Sequence, residues 1–303
     1  MRKRIRKVLV VTVVVVAVST AGFFGGWYLI GLRDFPSLEP YRVQYGNQAL
    51  LARLESGDGD RTSFSFVVLG DSRSNVFIGK QVFAAAAAEK PAMIFDTGDL
   101  IRHGTAKEYI EDHIPLLESA GSIPVFCIPG NHDRGPYRDF AAYKALYGGD
   151  HFSFDYGPCR FIGFNASETV RIGEDELRFL DRELSKEPPV DYRFVLFHIP
   201  PRYFENEITE DPRRGFEWNA EELRELLSRH KVTEVFMGHI HGYATRVMDG
   251  VRYTLTAGGG APFSQQLPPE ARIYHYVLIH IGPEGMKREV VYLSQGQWVR
   301  RPE

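Results

Sequence analysis

Gly238-His239-Ile240-His241 follows the apolar run Val232 to Met237, and the pair decides how the whole chain is read. Val232, Val235, Phe236 and Met237, with little polar interruption, have the pattern of a buried strand. Histidines at i and i+2 share one face while a strand continues. Where the chain turns at the strand's carboxyl end, both imidazoles can flank one site. Imidazole is the commonest side-chain ligand of first-row metals, yet a lone His-x-His is a weak signal. Its weight depends on partners elsewhere in the chain.

Four further runs end in the same way. Phe64–Leu69 leads into Gly70-Asp71-Ser72-Arg73, and Met93–Thr97 into Gly98-Asp99. Ile123–Pro129 leads into Gly130-Asn131-His132-Asp133, and Arg193–Phe197 into His198. Ligands of open α/β sheets bind beyond the carboxyl ends of the strands. A glycine there lets the backbone turn sharply and bring a polar side chain inward. Aspartate, asparagine and histidine together make a mixed oxygen and nitrogen set, suited to Mn²⁺, Fe or Zn²⁺ rather than Ca²⁺ or copper(I). No G-x-S-x-G elbow or P-loop lysine motif is present to argue for a covalent intermediate.

Taken in order, Gly70-Asp71, Gly98-Asp99, Gly130-Asn131-His132-Asp133, His198 and Gly238-His239-Ile240-His241 resemble the calcineurin-like metallophosphoesterases over residues 63 to 260. The resemblance implies an α/β fold, the four-layer αββα sandwich, and a dinuclear centre of two divalent ions. Asp71 and His241 would hold one ion, Asn131, His198 and His239 the other, with Asp99 bridging. It implies hydrolysis of phosphomonoesters or phosphodiesters by a hydroxide bridging the two ions. His132 would be the catalytic acid facing the leaving group, oriented by Asp133 or Asp155. Asn131 and His132 would also contact the substrate phosphate.

One position departs from the family pattern. Arg73 stands where most members carry a histidine two residues after the first aspartate, and Arg102 stands where some carry a tyrosine ligand. A guanidinium has no lone pair for a metal, but it binds phosphate bidentately. Arg73 therefore either clamps substrate phosphate or marks a loosely held first metal. The alternative it opens is a degenerate member that binds a phosphorylated ligand or partner without turnover. Among the other histidines, only His103, four residues after Asp99, is placed to reach toward that first metal.

The amino terminus has its own pattern. Residues 1–7 carry Arg2, Lys3, Arg4, Arg6 and Lys7 and no acid, and residues 8–32 carry no charge. Twenty-five helical residues span about 37 Å, enough to cross a hydrocarbon core of roughly 30 Å. Aromatic Trp27 and Tyr28 near the far end fit an uncleaved anchor better than a signal peptide, whose apolar region is shorter. The expected outcome is a single-pass protein of the cell membrane with a cytoplasmic tail at 1–7, a transmembrane helix at 8–32, and everything beyond it extracytoplasmic. Those five basic residues removed from the chain's 36 leave 31 against 39 acidic ones. A domain of that charge is not built to grip nucleic acid. Its expected partners are the membrane and a phosphate-ester small molecule or lipid headgroup.

Beyond the anchor, residues 33–62 read as a linker with one short helix, 63–296 as the catalytic domain and 297–303 as a tail. Helices are expected at Gly79–Glu89, from the Thr105/Glu108 capping box to Ser119, at Glu174–Lys186, and after Asn219 as a cap. The loops Arg202-Tyr203-Phe204 and Asp211 to Phe216 are expected to wall the substrate site. Cys127 and Cys159 have equal claims to pairing and to being buried thiols.

Overall fold

Alternation along Phe64–Leu69 separates two hydrophobic cores. In the computed structural model, which describes residues 34–57, 59–136 and 138–303, Phe66 and Val68 face one core and Val67 and Leu69 the other. That is what a pleated strand covered on both faces requires. This strand is β1 (Phe64–Leu69). It is followed by β2 (Met93–Asp96), β3 (Val125–Cys127), β4 (Phe152–Tyr156), β5 (Cys159–Gly163) and β6 (Tyr192–Leu196). Then come β7 (Glu234–Met237), β8 (Tyr243–Met248), β9 (Val251–Thr256), β10 (His275–Gly282), β11 (Gly285–Ser294) and β12 (Gln297–Pro302).

Two six-stranded sheets result, in the orders β12-β11-β10-β1-β2-β3 and β4-β5-β6-β7-β9-β8. The neighbours β1, β2 and β3 run parallel, as do β5, β6, β7 and β9. The core shared by the sheets is aromatic: Phe66 meets Phe161 and Phe194 edge-on, with ring centroids 5.0 and 4.9 Å apart, the geometry aromatic quadrupoles favour. The far face of the first sheet is covered by the helices Val76–Ala88, Ile114–Ser119 and Ala141–Tyr147, through Phe83, Leu117 and Leu146. The helices Glu174–Leu184 and Ala220–Arg229 bury Leu180, Leu184, Leu223 and Leu227 with the residues of the second sheet. Two facing sheets with flanking helices match the expected α/β sandwich.

Several local expectations need correction. Residues 33–62 are not a linker. They hold Phe35–Leu38, Glu39–Tyr45 and Asn47–Ser56, which bury Leu38, Tyr45, Leu50 and Leu54. Pro36 and Pro40 lie in first turns, where a missing N–H leaves nothing unsatisfied. Residues 297–303 are not a tail, since β12 pairs along β11. The Thr105/Glu108 capping box forms, but the helix it opens passes through a π-helical segment, Tyr109–His113. Asn219 precedes its helix with φ 60° and no capping bond, because its amide donates to Ile172 O at 3.0 Å. Cys127 and Cys159 are both free and buried. The 8–32 anchor lies outside the described residues, among which no helix is long and apolar enough to cross a membrane.

Candidate metal centre

The carboxyl ends of β1, β2 and β3 from one sheet and of β6 and β7 from the other converge, and each is followed by a polar residue on a sharp turn. Asp71, Asp99 and His239 adopt φ of 58°, 57° and 74°. Non-glycine residues hold such left-handed backbone only where the surroundings enforce it. Here Asp71 N–H donates to Gly98 O at 2.9 Å and Arg73 N–H to Asp99 O at 3.1 Å. His239 and His241, two residues apart beyond the end of β7, border the same site through Asn131 and Asp71. Gly238 is required by proximity: a Cβ there would lie 2.5 Å from Asp71 Oδ2 and 2.9 Å from His198 Nδ1.

Six candidate ligands meet. His198 Nδ1–H donates to Thr97 O at 2.8 Å. Its Nε2 then lies 3.2 Å from Asn131 Oδ1 and 3.2 Å from Asp99 Oδ1. His239 Nδ1 faces Asn131 Oδ1 at 2.8 Å. His241 Nδ1–H donates to Pro262 O at 2.6 Å, leaving Nε2 3.3 Å from Asp71 Oδ1. Imidazoles held by carbonyls in this way keep the opposite nitrogen for a metal. The ligating atoms of Asp71, Asp99 and His198 all fall within 4.8 Å of one another, and all three residues are buried. The Asp71, Asp99 and His198 donors thus fit a divalent ion, and Asn131 Oδ1, which faces both His198 and His239, brings those two beside it.

The Asp71, Asp99 and His241 half is different. Arg73 places Nε 3.0 Å from Asp99 Oδ2 and Nη2 3.5 Å from His241 Nε2, so both groups already face a cation.

Electrostatics follow from burial and pairing. Burial alone would raise the Asp99 carboxyl, but His198, His132 and Arg73 hold it well below the usual carboxylate range. Burial lowers His198, yet Asp99 and Asp71 overcome it and carry the imidazole up to about 9. Burial, then the charge of His198, pushes His239 well down. Asp133 rises to about 7 through burial and the charge of Asp99.

His132 sits at the rim, its N–H on Asp99 Oδ1 at 2.9 Å and its Nδ1–H on Arg102 O at 2.9 Å. Neither Asp133 nor Asp155 orients it, contrary to expectation. Asp133 accepts the N–H groups of Gly130, Leu100 and Ile101 and the hydroxyl of Tyr109. Asp155 pairs with Arg160 at 2.7 Å. His103 does not approach the centre either, being exposed and held by Glu108 at 2.7 Å.

The substrate walls are half as expected. Arg213 and Arg214 line a cavity of about 1110 Å³ with Arg73, His241 and Phe263. Phe204, by contrast, is fully buried, and Tyr203 packs on Tyr253. Sequence reasoning missed Glu205. Its buried carboxylate accepts the N–H groups of Arg213, Arg214 and Gly215 at 3.0, 2.9 and 2.6 Å, which fixes the arginine loop beside His239. No spacing rule marks such a residue.

Comparison with known proteins matches residues 64–243, more than half of the chain, to the description calcineurin-like phosphoesterase. The chain is 29% identical over 175 residues to a probable glycerophosphodiester phosphodiesterase, GpdQ, of Arcobacter nitrofigilis, covering 54% of this chain and 61% of that one. It is 28% identical over 170 residues to the serine/threonine-protein phosphatase CPPED1 of Mus musculus, covering 50% and 54%. Among solved structures, the purple acid phosphatase PPD1 of yellow lupin (Lupinus luteus) shares the fold, with a TM-score of 0.62 at 16% identity over 78% of this chain and 52% of that one. The chain spans less than two thirds of the length of each of these proteins.

Proposed function

The chain belongs to the calcineurin-like phosphoesterase family, and from that premise we propose that it hydrolyses phosphate esters, of small molecules or lipid headgroups, with bound divalent Mn, Fe or Zn. What carries the proposal is the convergence of Asp71, Asp99, Asn131, His198, His239 and His241 from the strand ends of both sheets, with His198 and His241 anchored by carbonyls. In the two-ion form expected from the family, Asp71 and His241 would hold one ion and Asn131, His198 and His239 the other, with Asp99 shared between them. A bound divalent ion supplies an ionised water and offsets charge on the phosphoryl oxygens. Asn131 and His132 position the phosphate, and the Arg102 carbonyl keeps the Nδ1 proton of His132, directing Nε2 toward the departing oxygen. Arg73, Arg213 and Arg214 bring positive charge to the cavity, which is roomier than a bare phosphate needs.

Residues 8–32 form the membrane anchor in this proposal. The basic residues 1–7 stay cytoplasmic, and the 63–296 domain works outside the cytoplasm, with no nucleic-acid partner. One observation favours the rival in which a phosphorylated ligand is bound without turnover: Arg73 already neutralises Asp99. Hydrolysis of p-nitrophenyl phosphate and bis-p-nitrophenyl phosphate by the full chain, after chelation and return of Mn²⁺ or Zn²⁺, decides between them. Metal-dependent turnover is the expected result, and the preferred ester separates monoesterase from diesterase. Metal bound with neither ester hydrolysed would favour the rival.

A further inference from the structure

Arg73 fills the place the family pattern gives to an imidazole, and all three of its nitrogens are engaged. Nε lies 3.0 Å from Asp99 Oδ2, Nη1 3.2 Å from Ser74 Oγ and Nη2 3.5 Å from His241 Nε2. Asp99 is 1% exposed and the Arg73 side chain 14%, so the pair is largely out of bulk water. The backbone adds a tie, Arg73 N–H to Asp99 O at 3.1 Å. Asp99 and His241 are two of the three groups that would surround the first ion. Both face a cation that stays protonated at any working pH. On the other side of Asp99, its Oδ1 and the inward atoms of Asn131, His198 and His239 face one another with no guanidinium among them.

We infer that Arg73 is a built-in substitute for the first metal: the chain takes one divalent ion, among Asp99, Asn131, His198 and His239, and the guanidinium supplies the second positive centre. This rests on the metal-dependent proposal above and concerns its stoichiometry. One divalent ion and one guanidinium balance two aspartates and a hydroxide, whereas two ions beside the same guanidinium would crowd like charges in a site shielded from water. Arg73 lines the cavity, so its remaining N–H groups can meet phosphate oxygens. A guanidinium donates hydrogen bonds but cannot ionise a water, so Arg73 acts through charge and position alone. The fixed cation also accounts for the missing histidine, since a ligand at position 73 has no ion to hold.

The test is metal counting on the full chain, stripped with chelator, re-equilibrated with Mn²⁺ and freed of loose ion. Elemental analysis should give one Mn²⁺ per chain, and the electron paramagnetic resonance spectrum should be the six-line pattern of an isolated ion. Arg73→His should raise the count to two and give an exchange-coupled spectrum. Two equivalents with a coupled spectrum in the unaltered chain would overturn the substitution while leaving the phosphoesterase proposal standing. A folded Arg73→His chain that still holds one would also overturn it. If that variant does not fold, the spectrum of the unaltered chain decides alone. No bound Mn²⁺, with no metal-dependent hydrolysis of bis-p-nitrophenyl phosphate, would remove both proposals.

Discussion

Asp71, Asp99 and His239 hold left-handed backbone at a cost on the order of 1–3 kcal/mol each, and all three border the proposed centre. Asp99 is the most connected of them, contacting Arg73, His198 and the His132 N–H. Asp99→Asn keeps the shape and removes the charge. It should weaken metal binding by at least about 100-fold, the upper range for losing a mere supporting partner, and abolish hydrolysis with the far-ultraviolet circular dichroism unchanged. Metal titration by calorimetry checks this, and normal affinity would contradict the site as drawn. His132 offers a sharper test. A general acid contributes about 10²–10⁴-fold, chiefly for poor leaving groups. His132→Ala should therefore slow an alkyl phosphate ester about 100-fold or more and a p-nitrophenyl ester far less. Equal losses on both would assign His132 to phosphate positioning alone. The meeting of these residues was legible because each polar side chain follows a strand-like run, usually with a glycine between. The partner of Arg73 was not, because Asp99 lies 26 residues away and only the left-handed turns bring the two together.

At the scale of elements, the misread segments share a cause: residues that punctuate structure in one position build it in another. Pro36 and Pro40 open helices, although prolines in a short polar stretch suggest a linker. In β12, Arg300, Arg301 and Pro302 look like a tail, yet charge and proline are what an edge strand tolerates. Burial within elements also sets a pH response. His113, in the π-helical segment, is driven by burial down to about 3, and His275, at the start of β10, down to about 4. Both are neutral when folded and take up a proton near 6.5 when unfolded. The unfolded chain thus binds more protons between about pH 3 and 6.5, and stability falls as pH falls through that window. From pH 6.5 to 4.5 the two together should cost roughly 3–5 kcal/mol, read from urea midpoints. His113→Gln and His275→Gln should each flatten that dependence, and an unchanged slope would show that neither histidine is its source.

For the molecule as a whole, β12 closes one edge of the first sheet and leads into Glu303, a member of a buried charge network. Arg288 of β11, 5% exposed, bridges Glu234 at 3.0 Å and Glu303 at 2.7 Å, and Trp298 lies tilted against Tyr276 with ring centroids 5.6 Å apart. Removing residues 297–303 leaves Arg288 half-paired and uncovers Tyr276. The truncated chain should lose about 2–4 kcal/mol in urea unfolding while each folded molecule keeps its metal affinity, because the candidate ligands follow β1, β2, β3, β6 and β7. Loss of affinity in step with stability would tie the site to that edge. The strand order carries a further consequence, in the time of synthesis. Phe64 pairs with Ile281, so β1, central in its sheet, meets β10 only after more than 200 further residues have been made. At 5–20 residues per second that is a wait of roughly 10–40 s. For that interval a six-residue apolar segment keeps an unpaired edge, the feature that recruits other chains. A central strand of the finished protein is thus a hazardous part of the nascent one, and slower translation of residues 70–275 should raise its aggregated fraction.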